Sequence, residues 1–594
     1  MRRVVLSIFA NEKIIRCTMI IFRNLVVAFL ISFLQLPVSE VSAQKGYPEN
    51  AFISPVDIPI YLSGSFAELR ANHFHSGIDI KTQGAEGKNI FACADGYVSR
   101  IRISPYGFGK AVYVVHPNGF STVYAHLRNF SPEIDKWAKS EQYRLQKFDV
   151  DLFPSAGLLK VKQGQVIGFS GNSGSSQGPH LHFEIRDSRT EEPIDPLLFG
   201  IAIKDFTRPT INGLRIYPAN DESRVNGSNK PFEPELKGWG ALYQLKSTDT
   251  IEVAGDFYLG LDAHDLMNNS GNKNGVNLFQ VFADSVLQFH WEANKFNFNE
   301  TRYINSFIDY ATYHRNGKRY MLTRKAPQNK LSMYHSIVND GVISTLPGKT
   351  MQILIRVADG KQNESMLNFY IKGVKKAAPV SPASVGAQIF SYRNINQFRT
   401  AHINISLPGK CLYEDTPFEY SAEASQPWSC SMIHKIHNPE VPLHDYFEVS
   451  IRIDSSCKIP VSKLMMVRLN KNNKPVYIGG EPDGNFLKAR IREFGRYTLM
   501  ADSISPVIKA VNISNGKNIR NQETIRMTIS DNLSGIKTYN AYLNGKWILM
   551  DYDAKNNLLE YQYDEMLLAG KNEFKLEITD NAGNKSSYKA TLNY

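Results

Sequence analysis

Short runs of alternating apolar and polar residues, each stopped by a glycine turn, fill the stretch from residue 44 to about 200: "NIFACADGYVSRIRIS", "GKAVYVVHPNGFSTVYAHL", "GQVIGFSGNSG" and "HLHFEIRD". A period of two buries one face of a strand, and Asp-Gly or Asn-Gly between such runs favours tight reversals, so this stretch predicts a compact antiparallel β domain. One segment breaks the pattern. "PEIDKWAKSEQYRLQKFDVDLF" is charged and helix-compatible, and is expected as an insertion on the domain's surface. With 594 residues the chain exceeds what one hydrophobic core can hold, so a string of domains follows. The 11% aromatic content suits β-rich folded domains.

Beyond residue 200 the β pattern continues and repeats weakly. "VADGKQNES" carries Asp359, Asn363 and Ser365, and "ITDNAGNKS" carries Asp580, Asn584 and Ser586 at the same spacing. Each is preceded by an aspartate leading to Gly plus a β-branched residue: Asp265 to Gly275-Val276, and Asp531 to Gly535-Ile536. Shared entry and exit turns predict two immunoglobulin-like sandwiches. The expected division is 1–43 signal peptide with an upstream extension, 44–200 N-terminal β domain, 201–377 immunoglobulin-like domain, 378–503 β domain and 504–594 C-terminal immunoglobulin-like domain. "KKAAPVSPAS" is the linker in the middle. The acidic residues of the repeat are read as turn formers, which explains them more simply than calcium ligation does.

The segment beginning at Met19 has Arg23, an apolar run from Leu25 to Leu36, Pro37, and Val41-Ser42-Ala43 before Gln44. That is the pattern of a secretory signal with a small-residue cleavage site, too short to span a bilayer comfortably, and it predicts an exported protein of the periplasm or cell envelope. Cys17 leaves with it, and "IIRC" lacks the small residues of a lipoprotein site. Cys93 stands alone, while Cys411, Cys430 and Cys457 permit one disulfide whose pairing the sequence leaves open. The formal charge of +11 is spread along the chain without a dense Lys/Arg run, which argues against a nucleic-acid partner.

Six of the fourteen histidines fall between residues 73 and 182. In "HLHFEIR" alternation sends His180, His182 and Glu184 to one side and Leu181, Phe183 and Ile185 to the core, so two imidazoles share a cleft. "NHFHSGID" adds His75 and Asp79, and "VYAHL" adds His126. Imidazole nitrogen and carboxylate oxygen suit Zn²⁺, and a catalytic zinc commonly takes three protein ligands: His75, Asp79 and one of the later pair, leaving the other histidine for proton transfer. His73 and His116 are read as packing or hydrogen-bonding residues.

"HFHSGIDI", "ADGYV", "YGFGKAVYVVHPNGFSTVYAHL", "VKQGQVIGFSGNSGSSQGPHLHFEIRD" and "PIDPLLF" resemble, in order, the LytM/lysostaphin-type zinc endopeptidases that cleave peptidoglycan cross-links, over residues 50–200. The resemblance implies an antiparallel β metallopeptidase domain with His75, Asp79 and His182 as Zn²⁺ ligands. It also implies His180 as general base and His126 as stabiliser of the tetrahedral oxyanion, two roles that can be exchanged. His73 lies one alternation too early to be a ligand. Peptidoglycan peptides are the expected substrate, and the inserted segment after His126 is expected to reshape one wall of the groove. The downstream β domains are assigned to positioning or to contacts with envelope proteins. Two other readings compete. "GNSGS" faintly echoes the nucleophile loop of serine proteases, with Ser173 the candidate, but no companion Asp-His pattern accompanies it. An envelope scaffold or regulator of other wall hydrolases would use the same domain for binding, yet all five candidate residues are retained, which favours activity.

Overall fold

Between the glycine turns the alternating runs do pair as strands. The computed structural model describes residues 46–268, 270–375 and 388–594. The expected signal peptide (1–43), Cys17 and most of the expected linker lie outside the described residues. Asn50–Tyr594 form one compact unit.

The sheet that carries the histidines contains β1 (Leu62–Gly64), β2 (Ile78–Lys81), β3 (Gly96–Ile103), β4 (Lys110–Val115), β5 (Phe120–Leu127), β6 (Val150–Leu152) and β7 (His180–Asp187). Its order is β1-β2-β7-β5-β4-β3-β6, with every pair antiparallel. Register explains the core. Leu181 pairs with Ile80, and Phe183 with Ile78 on one side and Tyr124 on the other; all five side chains are fully buried. Each such burial contributes roughly 1.5–3 kcal/mol, enough to fix the register, because a one-residue slip would turn this face outward.

The charged insertion becomes helix α1 (Pro132–Leu145), opened by proline in its first turn with Glu133 and Asp135 at its positive end. Sequence places it on the surface; the structure seals part of it against residues from the far end of the chain. The Tyr143 ring meets Trp547 edge-on at 5.4 Å, the Tyr143 hydroxyl donates to Asp564, and Lys139 pairs with Asp564 at 3.1 Å.

The remainder is also mainly β. Residues 210–373 build a five-stranded sheet around β8 (Asp256–Leu266) and β9 (Lys273–Asn274), together with a nine-stranded sheet. Residues 388–501 form two five-stranded sheets and a short two-stranded one, and residues 507–593 two four-stranded sheets. Cys430 and Cys457 form the disulfide, while Cys93 and Cys411 are buried free thiols.

Candidate metal centre

Strand pairing builds the centre. His182 on β7 stands directly opposite Asp79 on β2, so their side chains project from the same face of neighbouring strands. His75 enters from the loop just before β2. Its Nδ1 lies 2.8 Å from the Ser65 carbonyl, which makes Nδ1 the protonated nitrogen and turns Nε2 inward.

Three donor atoms meet there. His75 Nε2 lies 3.1 Å from Asp79 Oδ1, His182 Nδ1 lies 2.9 Å from the same oxygen, and the two nitrogens are 3.0 Å apart. All three residues are buried. Ligands about 2.0–2.1 Å from a tetrahedral zinc stand roughly 3.3 Å apart, so this N,N,O set fits the ion after small outward shifts. The charges agree. Burial depresses the His75 pKa and would depress that of His182, but the Asp79 and Glu184 carboxylates on either side lift His182 to about 9. Asp79 opposes its own burial through the surrounding imidazoles and is held well below the usual carboxylate range. Positive charge is favoured where the three donors converge.

The three side chains are held from behind. The second oxygen of Asp79 accepts from Arg70 at 2.5 Å, an approach that Gly64 permits, since a Cβ there would stand 2.4 Å from the Arg70 guanidinium. His182 Nε2 donates to Glu184 Oε1 at 2.8 Å, and Arg186 Nε donates to the other Glu184 oxygen at 2.6 Å. Burial raises the Glu184 pKa, but Arg186 and His182 outweigh it and bring it down to about 2. The Ser76 hydroxyl also donates to Glu184, and the Phe108 ring lies against His182 with centroids 4.8 Å apart. Sequence reasoning placed Glu184 on the polar face without giving it a role; the same alternation, extended to Arg186, would have found this support.

Two more imidazoles border the donors. His180 is half-buried; its Nδ1 donates to the Gly178 carbonyl at 2.8 Å, and its Nε2 lies 3.5 Å from Asp79 Oδ1. Strict alternation along β5 would turn His126 away, because its neighbour Ala125 is the residue paired with His182. A left-handed backbone at His126, with φ of 59°, breaks that alternation and brings its ring centroid within 4.8 Å of His180. His126 Nδ1 donates to the Ser173 carbonyl at 2.9 Å, and burial, then the neighbouring imidazoles His182 and His180, push its pKa down to about 3. All five predicted site residues are therefore neighbours. The exposed His73 is outside, and His116 is tied to the Asp95 carbonyl and the Thr122 hydroxyl.

The glycine-rich turn before β7 is a packed element. Gly174 has φ of 69°, and a Cβ there would come within 2.4 Å of Gly107 and Gly109. The Ser173 hydroxyl donates to the Leu127 carbonyl at 2.7 Å and accepts from the Lys110 amide at 2.9 Å, so it is committed to structure and is no nucleophile. From outside, the Lys555 ammonium grips the same turn through the carbonyls of Asn172 and Ser176, and Lys110 pairs with Asp551 at 2.7 Å.

The antiparallel sheet thus sets a His-x-x-x-Asp segment opposite a His-x-His strand. Residues 73–142 and 156–196 match Peptidase family M23, a domain match of the LytM type. Residues 387–502 match the Zu5-like domain. The DD-carboxypeptidase/endopeptidase Mpg of Neisseria meningitidis is 31% identical over 140 residues, 24% of this chain and 26% of that protein. Peptidoglycan DD-endopeptidase ShyA of Vibrio cholerae is 31% identical over 137 residues, 22% of this chain and 26% of that protein. The chain thus spans about a quarter of the length of these curated relatives. Among solved structures, the catalytic domain of the prophage-encoded M23 protein EnpA of Enterococcus faecalis is 25% identical, covering 25% of this chain and 98% of that one, with a TM-score of 0.19.

Proposed function

We propose that this protein is an exported zinc endopeptidase that hydrolyses the peptide cross-links of peptidoglycan. The observation that carries the reading is the convergence of His75 Nε2, Asp79 Oδ1 and His182 Nδ1 within 3.1 Å of one another, bordered by His126 and His180. Zinc, when bound to these three, supplies a Lewis acid that acidifies water and polarises a peptide carbonyl. His180 is the general base: its Nδ1 proton is held by Gly178, its Nε2 lone pair faces the centre, and its side chain, 15% exposed, keeps a path to solvent along which it can pass a proton on. His126 is anchored in the same tautomer by Ser173, so its inner nitrogen is an acceptor. That favours orienting the attacking water, and stabilising the oxyanion would require His126 to take a proton first.

Export is supported by the signal-like N-terminus and by the Cys430–Cys457 disulfide, which persists in oxidising compartments. No helix among the described residues is long and apolar enough to cross a membrane. We assign 44–200 to the peptidase and 201–377, 378–503 and 504–594 to the β domains that follow, the first and last of them immunoglobulin-like sandwiches serving positioning or partner contacts. The test is digestion of cross-linked muropeptides by the purified zinc-loaded chain, with products identified by mass spectrometry. Cleavage lost on chelation and in His182→Ala is expected. A folded, zinc-loaded chain without turnover on any peptidoglycan would overturn the reading in favour of a wall-hydrolase regulator.

A further inference from the structure

The repeat noted in the sequence has a three-dimensional counterpart. In the first copy, carboxylate oxygens of Asp205, Asp265 and Asp359 all lie within 4.8 Å of one another; in the second, those of Asp502, Asp531 and Asp580 do the same. Several bonds recur in both copies. Asn363 Nδ2 donates to Asp359 and to the Asp205 carbonyl, as Asn584 Nδ2 does to Asp580 and the Asp502 carbonyl. Ser365 and Ser586 donate to the carbonyls of Pro209 and Pro506.

Turn formation accounts for part of this, since Asp359 accepts the Lys361 and Asn363 amides. It does not account for three buried carboxylates facing one another. Asp205, Asp265 and Asp359 are 6%, 4% and 3% exposed, and among the described residues no salt bridge reaches any of them. A separate observation points to a missing ligand. Asn274 is 3% exposed, stands directly opposite Asp265 in the β8–β9 pair, and among the described residues has neither amide atom hydrogen-bonded; Asp265 Oδ1 is likewise without a partner there. Cross-strand partners project from the same face, so an unsatisfied amide oxygen stands beside the carboxylates. In the second copy the residue before the equivalent glycine, Ser534, is 2% exposed with an unpartnered hydroxyl, and its amide donates to Asp502. The same place in both copies thus carries a buried neutral oxygen with nothing to bind. Lys463, which bonds Asn584 Oδ1, brings an ammonium to the edge of the second copy.

We propose that Asp205, Asp265 and Asp359, with the Asn274 amide oxygen, bind a hard divalent cation of the calcium class. An all-oxygen set of three carboxylates and an amide suits such an ion and not a thiolate- or imidazole-seeking one, and oxygens about 2.3–2.6 Å from calcium stand at most about 5 Å apart. The ion would tie the segment entering the 210–373 sheets to the ends of two of their strands. It also braces the catalytic domain: Gly275, next to Asn274, donates its amide to the Ser65 hydroxyl at 2.9 Å, and the Ser65 carbonyl holds His75.

The experiment is calorimetric titration of the zinc-loaded full chain with calcium chloride, wild type beside Asp265→Asn, with unfolding midpoints measured with and without millimolar calcium. Asp265→Asn is expected to bind one equivalent fewer and to lose most of the calcium-induced rise in midpoint. Equal stoichiometry in the two proteins, or a wild type that shows neither heat nor shift, would overturn the proposal. Should Asp265→Asn fail to fold, Asp205→Asn, altered outside the strands, gives the same comparison.

Discussion

Replacing Glu184 by glutamine tests whether the centre depends on groups behind its ligands. Glu184 is fully buried and accepts on both oxygens, from His182 and Ser76 on one side and from Arg186 on the other. A glutamine has one acceptor and one donor end. Whichever way it turns, its NH₂ meets donors, either the His182 N–H and the Ser76 hydroxyl or the Arg186 guanidinium. With the NH₂ toward His182 the bond that fixes its tautomer is lost, and with the NH₂ toward Arg186 His182 keeps only a neutral acceptor in place of a carboxylate; either way its basicity falls, a loss that typically costs about 10- to 100-fold in metal affinity, or roughly 1.4–2.7 kcal/mol. Arg186 keeps Glu191 at 3.2 Å and the Phe298 face at 4.7 Å, so the fold survives, with a stability loss of about 3 kcal/mol for the broken buried pair. The assay is competition for zinc against a chromophoric chelator, run on protein shown to be folded by near-ultraviolet dichroism. A folded Glu184→Gln chain with zinc affinity within about twofold of wild type would refute the argument, because the tautomer would then not depend on this carboxylate.

His180→Ala should keep its zinc while hydrolysis falls by about 10²- to 10⁴-fold, whereas His75→Ala should lose both; zinc content and muropeptide turnover measured together separate the two, and zinc loss in His180→Ala would make that residue a ligand. Burial raises the Asp195 pKa to about 7 despite its bonds from Leu197 and Asn277. The folded chain then holds this proton after the unfolded chain has released it near pH 4, so stability falls as pH rises from about 4 to 7, by about 4 kcal/mol at most. Asp195→Asn should flatten that slope in denaturant titrations; an unchanged slope would show that Asp195 does not set it.

Much of the centre was legible because period-two patterning is a local signal. Leu181, Phe183 and Ile185 are fully buried as the alternation requires, and His180 and His182 share a face. The pairing of Asp79 with His182 is a matter of register, which depends on how Ile78, Ile80, Leu181 and Phe183 pack together and is not written in any one segment. His126 would have been misplaced by alternation alone, since its position follows from one left-handed residue. The acidic repeat was read as turn chemistry, correctly for Asp359; Asp205 and Asp502, which complete the trios, lie far from their partners in sequence and carry no motif. The helical insertion was visible from its charge and helix-compatible composition, but its contact with Trp547 joins residues some four hundred positions apart, beyond the reach of any local pattern.

The hold of Lys555 on the Asn172–Ser176 turn has a consequence in time. These residues are separated by 383 and 379 positions. At a synthesis rate of about 5–20 residues per second, the histidine strand is made roughly 20–80 s before the lysine that clamps the turn leading into it. A newborn chain therefore passes through an interval in which its histidine centre exists but the outer brace does not, and a chain cut short before residue 555 would remain in that juvenile state.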